Sequence, residues 1–322
     1  MEDATIIAFI LALKSFESLN VLKMQISFLG VVFNWTVVIA NRQITTSKHS
    51  FGILTANQAL GDALYSTIFL FYVCPMIYLN SFRKNETLSN YSMYAGYWLL
   101  VCYELSTQSH FLISCNRFCA VFYPVKYSSI FSVTNTYRLA FVVNITSLAL
   151  TFVDYFVGCP LNWHSELFLF NFPSTTFCQI VAFYADFCKY LVFILLVIII
   201  DVATIQSSTT VSDKKAAAQR SREMSFLKQT CVQGGIFTCE LITYFILSPM
   251  IENPWILFFC TSFAWVSVHS LDGFVTLMFN QDMRKFVKNV IVCRGKYEDT
   301  SRTGNTTDRA SKISNVVKPE SN

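Results

Sequence analysis

Residues 106–127 have the sequence STQSHFLISCNRFCAVFYPVKY. An apolar run of helical length ends at Asn116-Arg117-Phe118, and a short apolar turn then leads to Pro124 and a basic residue. Lysine and arginine at the end of a membrane-spanning helix can extend their charge to the water interface, so an arginine is tolerated there. This stretch therefore predicts a membrane-spanning helix that presents Arg117 at the membrane edge.

The composition indicates that the whole chain is a membrane protein. Of its 322 residues, 53% are hydrophobic and only 14% are charged, whereas about a quarter of the residues of a soluble domain are charged. The net charge of +4 is small and gives no indication of nucleic-acid binding. Most of the 11 cysteines lie inside apolar runs, where cysteine packs as a small apolar residue. We therefore predict a polytopic membrane protein that contacts the lipid bilayer along most of its length.

The sequence contains no pattern that indicates catalysis. No cysteine and histidine residues have the spacing of a zinc site, and no nucleophile stands near a general base. Gly234-Gly235 is too short to form a phosphate-binding loop. We therefore expect no enzyme activity, no cofactor and no metal.

Seven apolar runs are long enough to cross a membrane, which takes roughly 20 helical residues. They lie near residues 21–41, 52–79, 92–117, 138–158, 179–204, 228–251 and 253–280. The predicted fold is an all-α membrane protein with a bundle of seven transmembrane helices.

The basic residues are divided unevenly between the two sets of loops. One set of loops and helix ends contains Arg42, Lys48, Arg117, Lys126, Arg138, Lys214, Lys215, Arg220, Arg222, Arg284, Lys285, Lys288, Arg294 and Lys296. The other set contains Lys14, Lys23, Arg83 and Lys84. Cytoplasmic loops are enriched in lysine and arginine, so we expect the N-terminus outside and the C-terminus inside. Lys23, near the outer end of the first run, is expected to extend its charge to the interface.

The segment after the seventh run has the pattern of a surface helix. In residues 281–292, Met283 and Phe286 fall on an apolar face and charged residues cover the other, which predicts a short amphipathic eighth helix on the inner membrane surface. Cys293 follows, either palmitoylated or as an unmodified thiol. The predicted receptor domain covers residues 1–293. Residues 294–322 are polar and without periodicity, so we expect a disordered cytoplasmic tail.

Topology also selects among modification sites. Asn85 and Asn90 lie in glycosylation sequons of the first outer loop, and these two are the expected glycan acceptors. Cys159 and Cys178 lie in the second outer loop, where an oxidising compartment favours a disulfide between them. Cys102 and Cys74 are competing partners.

The residues around Arg117 resemble the end of the third helix of G-protein-coupled receptors. That helix usually ends in Asp-Arg-Tyr, followed by Ala-Val and, in the next loop, by Pro-Leu-x-Tyr. Here Asn116 replaces the acid and Phe118 replaces the tyrosine, while Pro124 and Tyr127 fit the remainder. The resemblance implies that Asn116, Arg117 and Phe118 contact a heterotrimeric G protein.

Further stretches resemble one receptor family, the nematode serpentine receptors of class X. They are Ser50-Phe51-Gly52, Phe69-Leu70-Phe71-Tyr72, residues 116–124, Asp186-Phe187, Phe226-Leu227-Lys228-Gln229 and His269-Ser270-Leu271-Asp272-Gly273. The resemblance implies a chemoreceptor in the plasma membrane of sensory neurons, including the membrane of their cilia, that binds a small ligand. It names neither the ligand nor the G-protein class.

The general receptor pattern is matched only in part. Asp272-Gly273 stands where the seventh helix usually has Asn-Pro, and Thr276 stands where a tyrosine is usual. Gly273 is expected to keep a weak point in that helix. The outer end of the third helix usually carries a cysteine that pairs with the second outer loop, and that position is Ser92 here. The usual bridge is therefore absent or lies within the loop.

Ionisable residues inside the membrane are costly and are candidates for function. Counted from the inner helix ends, Asn34, Asp62 and Asp272 share a depth of roughly 12–15 Å. We predict that they form a polar core in which the two carboxyl groups face each other. One of them then keeps a proton, or a cation lies between them. Simple hydrogen bonding between helices is the alternative to a switching or ion-binding role, and by resemblance the positions match the water and sodium site of the receptor superfamily.

A second polar layer lies nearer the outside. Glu104, Lys189 and Glu240 lie roughly 18–24 Å from the inner edge, with Asp186 higher still, and these four are the candidate residues of a ligand pocket. We predict that Lys189 points into the bundle and pairs with a carboxylate. Asp186, one turn earlier on the same helix, and Glu240 or Glu104 across the bundle are the candidate partners. The functional alternative to a purely stabilising pair is a patch that selects a polar or anionic ligand, with Tyr103 and Tyr184 as aromatic walls.

Two other functions remain open from the sequence. The chain could be a subunit of a channel or transporter, or a partner subunit that does not signal. The seven spans, the absence of an inverted repeat and the basic third inner loop favour a G-protein-coupled receptor.

Overall fold

The computed structural model describes residues 2–44, 49–83, 86–164, 169–209 and 217–291. The predicted tail of residues 294–322, Cys293 and the sequon at Asn85 lie outside the described residues. The domain boundary near residue 293 therefore stays a prediction.

The described residues are almost entirely helical. The first four long helices are α1 (Glu2–Gln43), α2 (Ser50–Ile68, continued through Phe69–Val73 and Cys74–Arg83), α3 (Ser92–Phe122) and α4 (Val133–Phe156). The next three are α5 (Thr176–Val181, Ala182–Cys188 and Lys189–Thr209), α6 (Ala217–Leu241, Ile242–Leu247 and Ser248–Met250) and α7 (Pro254–Phe258, Phe259–Phe263 and Ala264–Phe279). Helix α8 follows at Gln281–Ile291, and the short helices Glu86–Asn90 and Pro124–Ile130 lie in loops. The predicted all-α bundle of seven membrane helices is confirmed.

The seven long helices form a closed bundle with α3 at its centre. Helix α3 packs against α2, α4 and α5, while α7 packs against α1, α2 and α6. Every residue from Leu99 to His110 is buried. Within the described residues, the other six long helices each contain a segment long and apolar enough to cross a membrane. Helix α3 is more polar because helices, rather than lipid, surround its middle.

Several helix starts are fixed by side chains that cap the first turn. Ser132 accepts a hydrogen bond from the backbone N–H of Asn135 at the start of α4 (3.3 Å). Asn253 accepts one from the N–H of Trp255 at the start of α7 (2.9 Å), and Pro254 occupies the first helical position. Serine and asparagine are favourable just before a helix, because the first N–H groups of the helix have no partner within it. Proline is favourable at the first helical position, where its missing N–H costs no hydrogen bond.

A two-stranded hairpin covers one end of the bundle, which we call the outer end because the loop charges predict that it faces outside. Strands β1 (Asn162–His164) and β2 (Leu169–Asn171) are antiparallel, and Trp163 pairs with Phe170. Both aromatic side chains are buried in the main hydrophobic core. A disulfide joins Cys159, just before β1, to Cys178 at the start of α5. The second outer loop is therefore a packed cover tied to the bundle.

Four helices contain a π-helical turn in their outer halves. These turns are Phe69–Val73 in α2, Ala182–Cys188 in α5, Ile242–Leu247 in α6 and Phe259–Phe263 in α7. A π turn accommodates one extra residue and is frequent at functional sites. The outer half is therefore less regular than the inner half.

Helices α1 and α7 approach each other closely through glycine. A Cβ atom on Gly273 would lie 2.8 Å from the backbone nitrogen of Asn34. Gly30 is in the same situation, because its Cβ would lie 2.9 Å from the Cβ atom of Ser270. Gly273 lies inside the continuous helical segment Ala264–Phe279, so the structure supplies a packing reason for this glycine in addition to the predicted weak point.

Helix α8 packs against the inner end of the bundle. Met283 and Phe286 are buried in a cluster that includes Val37 of α1 and Ile44, the residue that follows the end of α1. The side chain of Asn280 accepts a hydrogen bond from the N–H of Asp282 (3.0 Å) and so caps the first turn. The position of this helix on the inner membrane surface stays a prediction.

Two sequence-based details were wrong. Lys23 does not extend to the interface: its side chain is 0% exposed and lies inside the bundle. The third helix does not end at Asn116 but continues to Phe122, because the apolar residues after Arg117 extend it by more than one turn.

Candidate functional site

A buried ionic group lies in the outer half of the bundle, where α3 and α5 meet. Lys189 Nζ forms an ion pair with Glu104 and lies 3.8 Å from Asp186 Oδ1. Glu104 is 2% exposed and accepts hydrogen bonds from Tyr190 (3.0 Å) and Gln108 (3.0 Å). An ionised carboxylate needs such partners in a low-dielectric interior. We call these five residues the outer cluster.

The structure distinguishes the candidate partners of Lys189. It contacts Glu104 across the bundle and lies near Asp186 on its own helix, whereas Glu240 has a different partner. The hydroxyl group of Tyr103 donates a hydrogen bond to Glu240 Oε2 over 3.0 Å. Lys189 therefore points into the bundle and pairs with a carboxylate, as predicted. The role of these residues in ligand binding stays a prediction.

A narrow cavity of about 30 Å³ lies beside the outer cluster. Asp186 and Glu240 are its acidic lining residues. The rest of its wall consists of Leu100, Tyr103, Leu161, Phe172, Tyr190, Tyr244, Phe245 and Trp265. Leu161 and Phe172 flank the hairpin strands, so the hairpin closes the outer side. The prediction that Tyr184 forms a wall was wrong, because its side chain is 66% exposed on the outside of the bundle.

The predicted polar core lies near the middle of the bundle and contains a histidine. His269 Nδ1 lies 2.7 Å from Asp62 Oδ1. The amide group of Asn34 donates to the backbone oxygen of His269 over 2.8 Å, and Gln58 donates to Asp272 Oδ2 over 3.0 Å. We call these five residues the central cluster.

The central cluster brings together the three residues predicted from depth. Because His269 and Asp272 are three residues apart on α7, they lie on one helix face. Asp62 and Asp272 therefore belong to one group, although the direct partner of Asp62 is His269. All of these side chains are buried. Among the described residues, Asn34 Oδ1 and His269 Nε2 have no hydrogen-bond partner, so the cluster keeps polar atoms available.

A third polar group lies at the inner end of α3. The amide group of Asn116 donates to Ser50 Oγ of α2 over 3.1 Å. The hydroxyl groups of Ser50 and Tyr127 are 2.7 Å apart. Asn116 thus fastens α2 and the short helix of the second inner loop to α3, which an aspartate without an amide donor could not do in this way.

Arg117 lies against two aromatic rings that also contact each other, and its side chain is buried rather than extended into water. Its guanidinium carbon lies 3.8 Å from the ring centre of Phe51 on α2 and 4.3 Å from that of Phe226 on α6. The two rings are themselves 4.5 Å apart. Arginine stacks favourably on aromatic faces. We call these three residues the inner clamp, and it connects α2, α3 and α6.

Phe118 lies beside the clamp but belongs to a different contact. Its ring stacks on Phe122 at 4.4 Å and approaches Tyr123 at 6.1 Å. The side chain is only partly buried. Phe118 is therefore part of an aromatic surface at the inner end of α3, and its predicted contact with a G protein is untested.

Residues 24–280 match the family model described as serpentine type 7TM GPCR chemoreceptor Srx. The chain belongs to the Srx family. The matched segment contains the outer cluster, the central cluster and the inner clamp. Srx is a family of multi-pass membrane chemoreceptors, not of enzymes.

Two relatives of this Srx chain are both from Caenorhabditis elegans. The chain is 27% identical to "Serpentine receptor class X 45" over 285 residues, and this alignment covers 82% of this chain and 78% of the relative. It is 26% identical over 276 residues to "Serpentine receptor class X-43", which covers 80% of this chain and 82% of that relative. The resemblance inferred from the residues is therefore confirmed at the level of the family.

Sequence reasoning missed several contacts of this Srx chain. It did not identify Phe51 and Phe226 as partners of Arg117, because each stands just before an apolar run and nothing in their spacing indicates a stack. It also did not pair His269 with Asp62. A signal was available for that pair, since both are ionisable and both lie in the middle of predicted spans. Of the two sequons, Asn90 is exposed near the outer end of α3, and its glycosylation is untested.

Proposed function

We propose that this chain is a ligand-activated chemoreceptor that couples to a heterotrimeric G protein at its inner face. In this proposal it lies in the plasma membrane of a sensory cell, with the N-terminus outside. The observation that carries the proposal is the inner clamp. The guanidinium group of Arg117 contacts one ring from α2 and one from α6, so it connects α3 to both helices at the inner end of the bundle.

A continuous series of contacts links the cavity to the central cluster in the middle of the bundle. Tyr103 bonds to Glu240 at the cavity, and its ring centre lies 5.3 Å from that of His269. His269 in turn contacts Asp62 in the central cluster. A ligand that changes the packing of Tyr103 would therefore act on the central cluster directly. Packed and hydrogen-bonded networks of this kind can carry coupling between sites.

The inner clamp supplies the other half of the mechanism. While Arg117 contacts Phe51 and Phe226, α6 is held against α3. A shift of α6 would release the guanidinium group and expose it at the inner surface, where it could contact a partner. Ligand binding needs only to favour the released state over the clamped one.

The experiment is a G-protein activation assay on cells that express the receptor, with small volatile and soluble compounds as candidate agonists. Arg117→Ala is expected to abolish the agonist response at unchanged surface expression. Arg138→Ala, which changes an exposed arginine at the inner end of α4, is the matched control and is expected to leave the response unchanged.

Ion gradients distinguish a receptor from a channel. The agonist response should persist when all permeant ion gradients are removed. An agonist-dependent current together with unaltered G-protein activity in the Arg117→Ala variant would contradict the proposal.

A further inference from the structure

The outer half of the bundle contains more acidic than basic side chains. Glu104, Asp186 and Glu240 are 2%, 5% and 4% exposed, respectively. Lys189 is the one lysine or arginine in contact with any of them among the described residues, and its nearest partner is Glu104. Lys189 therefore contacts two of the three carboxyl groups, those of Glu104 and Asp186.

Glu240 is the acid that Lys189 does not contact. Its described hydrogen-bond partner is the hydroxyl group of Tyr103, which is a neutral donor. A charge in a low-dielectric interior is stable only when an opposite charge compensates it. Glu240 must therefore stay neutral or meet a cation inside the cavity, and it lines that cavity together with Asp186.

The other walls of the cavity also suit a cation. Tyr103, Tyr190, Tyr244 and Trp265 line it with aromatic surface. The faces of aromatic rings attract a cation whose centre lies within about 6 Å, and several rings together form the usual cage for alkylammonium groups. The two carboxyl groups and the four aromatic rings thus all favour a cation in the cavity.

We propose that the cavity binds a small organic ammonium ion, whose nitrogen lies between Asp186 and Glu240 and against the aromatic wall. The inference rests on the proposed function, because it names the ligand class of that receptor. It also replaces the expectation of an anionic ligand. That expectation depended on Lys189 being available, whereas Glu104 and Asp186 already engage it.

The test is ligand binding to the purified full-length receptor, measured as a shift of its thermal unfolding midpoint with ligand concentration. Phenethylamine and choline are the cationic probes. Propylbenzene and 3,3-dimethylbutan-1-ol are neutral probes of the same shapes, and phenylpropanoate is an anionic probe. We expect saturable stabilisation by the cations and none by the neutral or anionic compounds.

Variants locate the binding to the cavity. Glu240→Gln keeps the size of the side chain and an oxygen for the Tyr103 hydroxyl, and it is expected to weaken ammonium affinity roughly 10-fold to 100-fold, as for loss of a charged hydrogen-bond partner. Asp186→Asn is a second variant that keeps the shape of the cavity. Glu252→Gln removes the same charge from an exposed site in the last outer loop and should leave the affinity unchanged.

The binding test and the signalling assay can fail independently of each other. Equal stabilisation by charged and neutral probes, no ammonium binding to the folded receptor, or unchanged affinity in both cavity variants would overturn the inference. An amine that binds without any G-protein response would leave the inference intact and contradict the signalling role. A G-protein response to neutral or anionic agonists, without ammonium binding, would contradict the inference and leave the signalling role intact.

Discussion

At the residue scale, Lys23 is the most unusual side chain of the bundle. It is 0% exposed, and its Nζ lies 4.6 Å from the ring centre of Phe258 and 5.4 Å from that of Trp163. Among the described residues, Nζ has no hydrogen-bond partner. Aromatic contacts offset part of the free-energy cost of burying an ammonium group, but they do not replace hydrogen bonds.

We therefore expect Lys23→Met to stabilise the receptor. Methionine has a similar length and keeps the apolar contacts, while the burial of an uncompensated polar group, which costs roughly 1–3 kcal/mol, is removed. The thermal unfolding midpoint should rise by a few degrees, since the shift equals the gain in free energy divided by the entropy of unfolding. Lys228→Met, at an exposed position of α6, is the control for loss of one positive charge. A lower midpoint in the Lys23 variant would mean that the ammonium group has a stabilising partner in the membrane.

A second residue-scale prediction concerns the ion pair of the outer cluster. Lys189→Met leaves Glu104 buried without its cation, which should destabilise the receptor by roughly 3–5 kcal/mol. Glu104→Gln combined with Lys189→Met removes both charges, so the double variant should recover much of this loss. Surface expression and the thermal midpoint of the single and double variants measure the coupling. Additive effects of the two substitutions would contradict a direct pair.

At the scale of elements, the sequence predicts the helices well for a physical reason. The thickness of the hydrocarbon fixes their length, so the run at residues 138–158 corresponds to Val133–Phe156 and the run at 52–79 to Ser50–Arg83. The hairpin could not be predicted, because three-residue strands are too short for an alternating pattern. The long extension of α1 before residue 20 was also missed, because its apolar run at residues 6–13 is too short to cross a membrane.

The inner clamp gives the prediction at this scale. Phe226→Ala removes the α6 face of the stack on Arg117, so α6 should separate from α3 more readily. Basal G-protein activity should therefore rise in the absence of agonist, because one of the contacts that restrain the arginine is lost. Phe141→Ala, on the exposed side of α4, is the control for loss of one phenylalanine. Unchanged basal activity at equal surface expression would refute a restraining role.

At the scale of the whole molecule, depth along the helices predicts which polar residues meet. Asn34, Asp62 and Asp272 lie on three different helices, yet equal distances from the inner surface bring them into one cluster. The direction of a side chain around its helix is not fixed by depth, which is why Lys23 was placed at the interface. Partners such as His269 also depend on rotation, which the nearly uniform apolarity of a membrane helix leaves unspecified.

The orientation of the molecule can be tested through its sequons. If the first outer loop is extracellular, Asn85 carries glycan, and a glycosidase should increase the mobility of the receptor on a gel. Asn85→Gln combined with Asn90→Gln should remove that shift. Asn305→Gln changes the sequon Asn305-Thr306-Thr307 of the predicted cytoplasmic tail, and as the matched control it should leave the shift unchanged. Cleavage of the N-terminus by a protease added to the cytosolic side would contradict the orientation.

The π turns have a consequence for how relatives diverge. An extra residue in a helix rotates every side chain beyond it by about 100°. The turn Ala182–Cys188 contains Asp186, and the turn Ile242–Leu247 contains Tyr244. The inward direction of both cavity residues therefore depends on the number of residues in each turn. A gene that gained or lost one codon at either turn would present a different set of side chains to the cavity while the inner half kept its register. In such a lineage, ligand preference can change through insertion and deletion as well as through substitution.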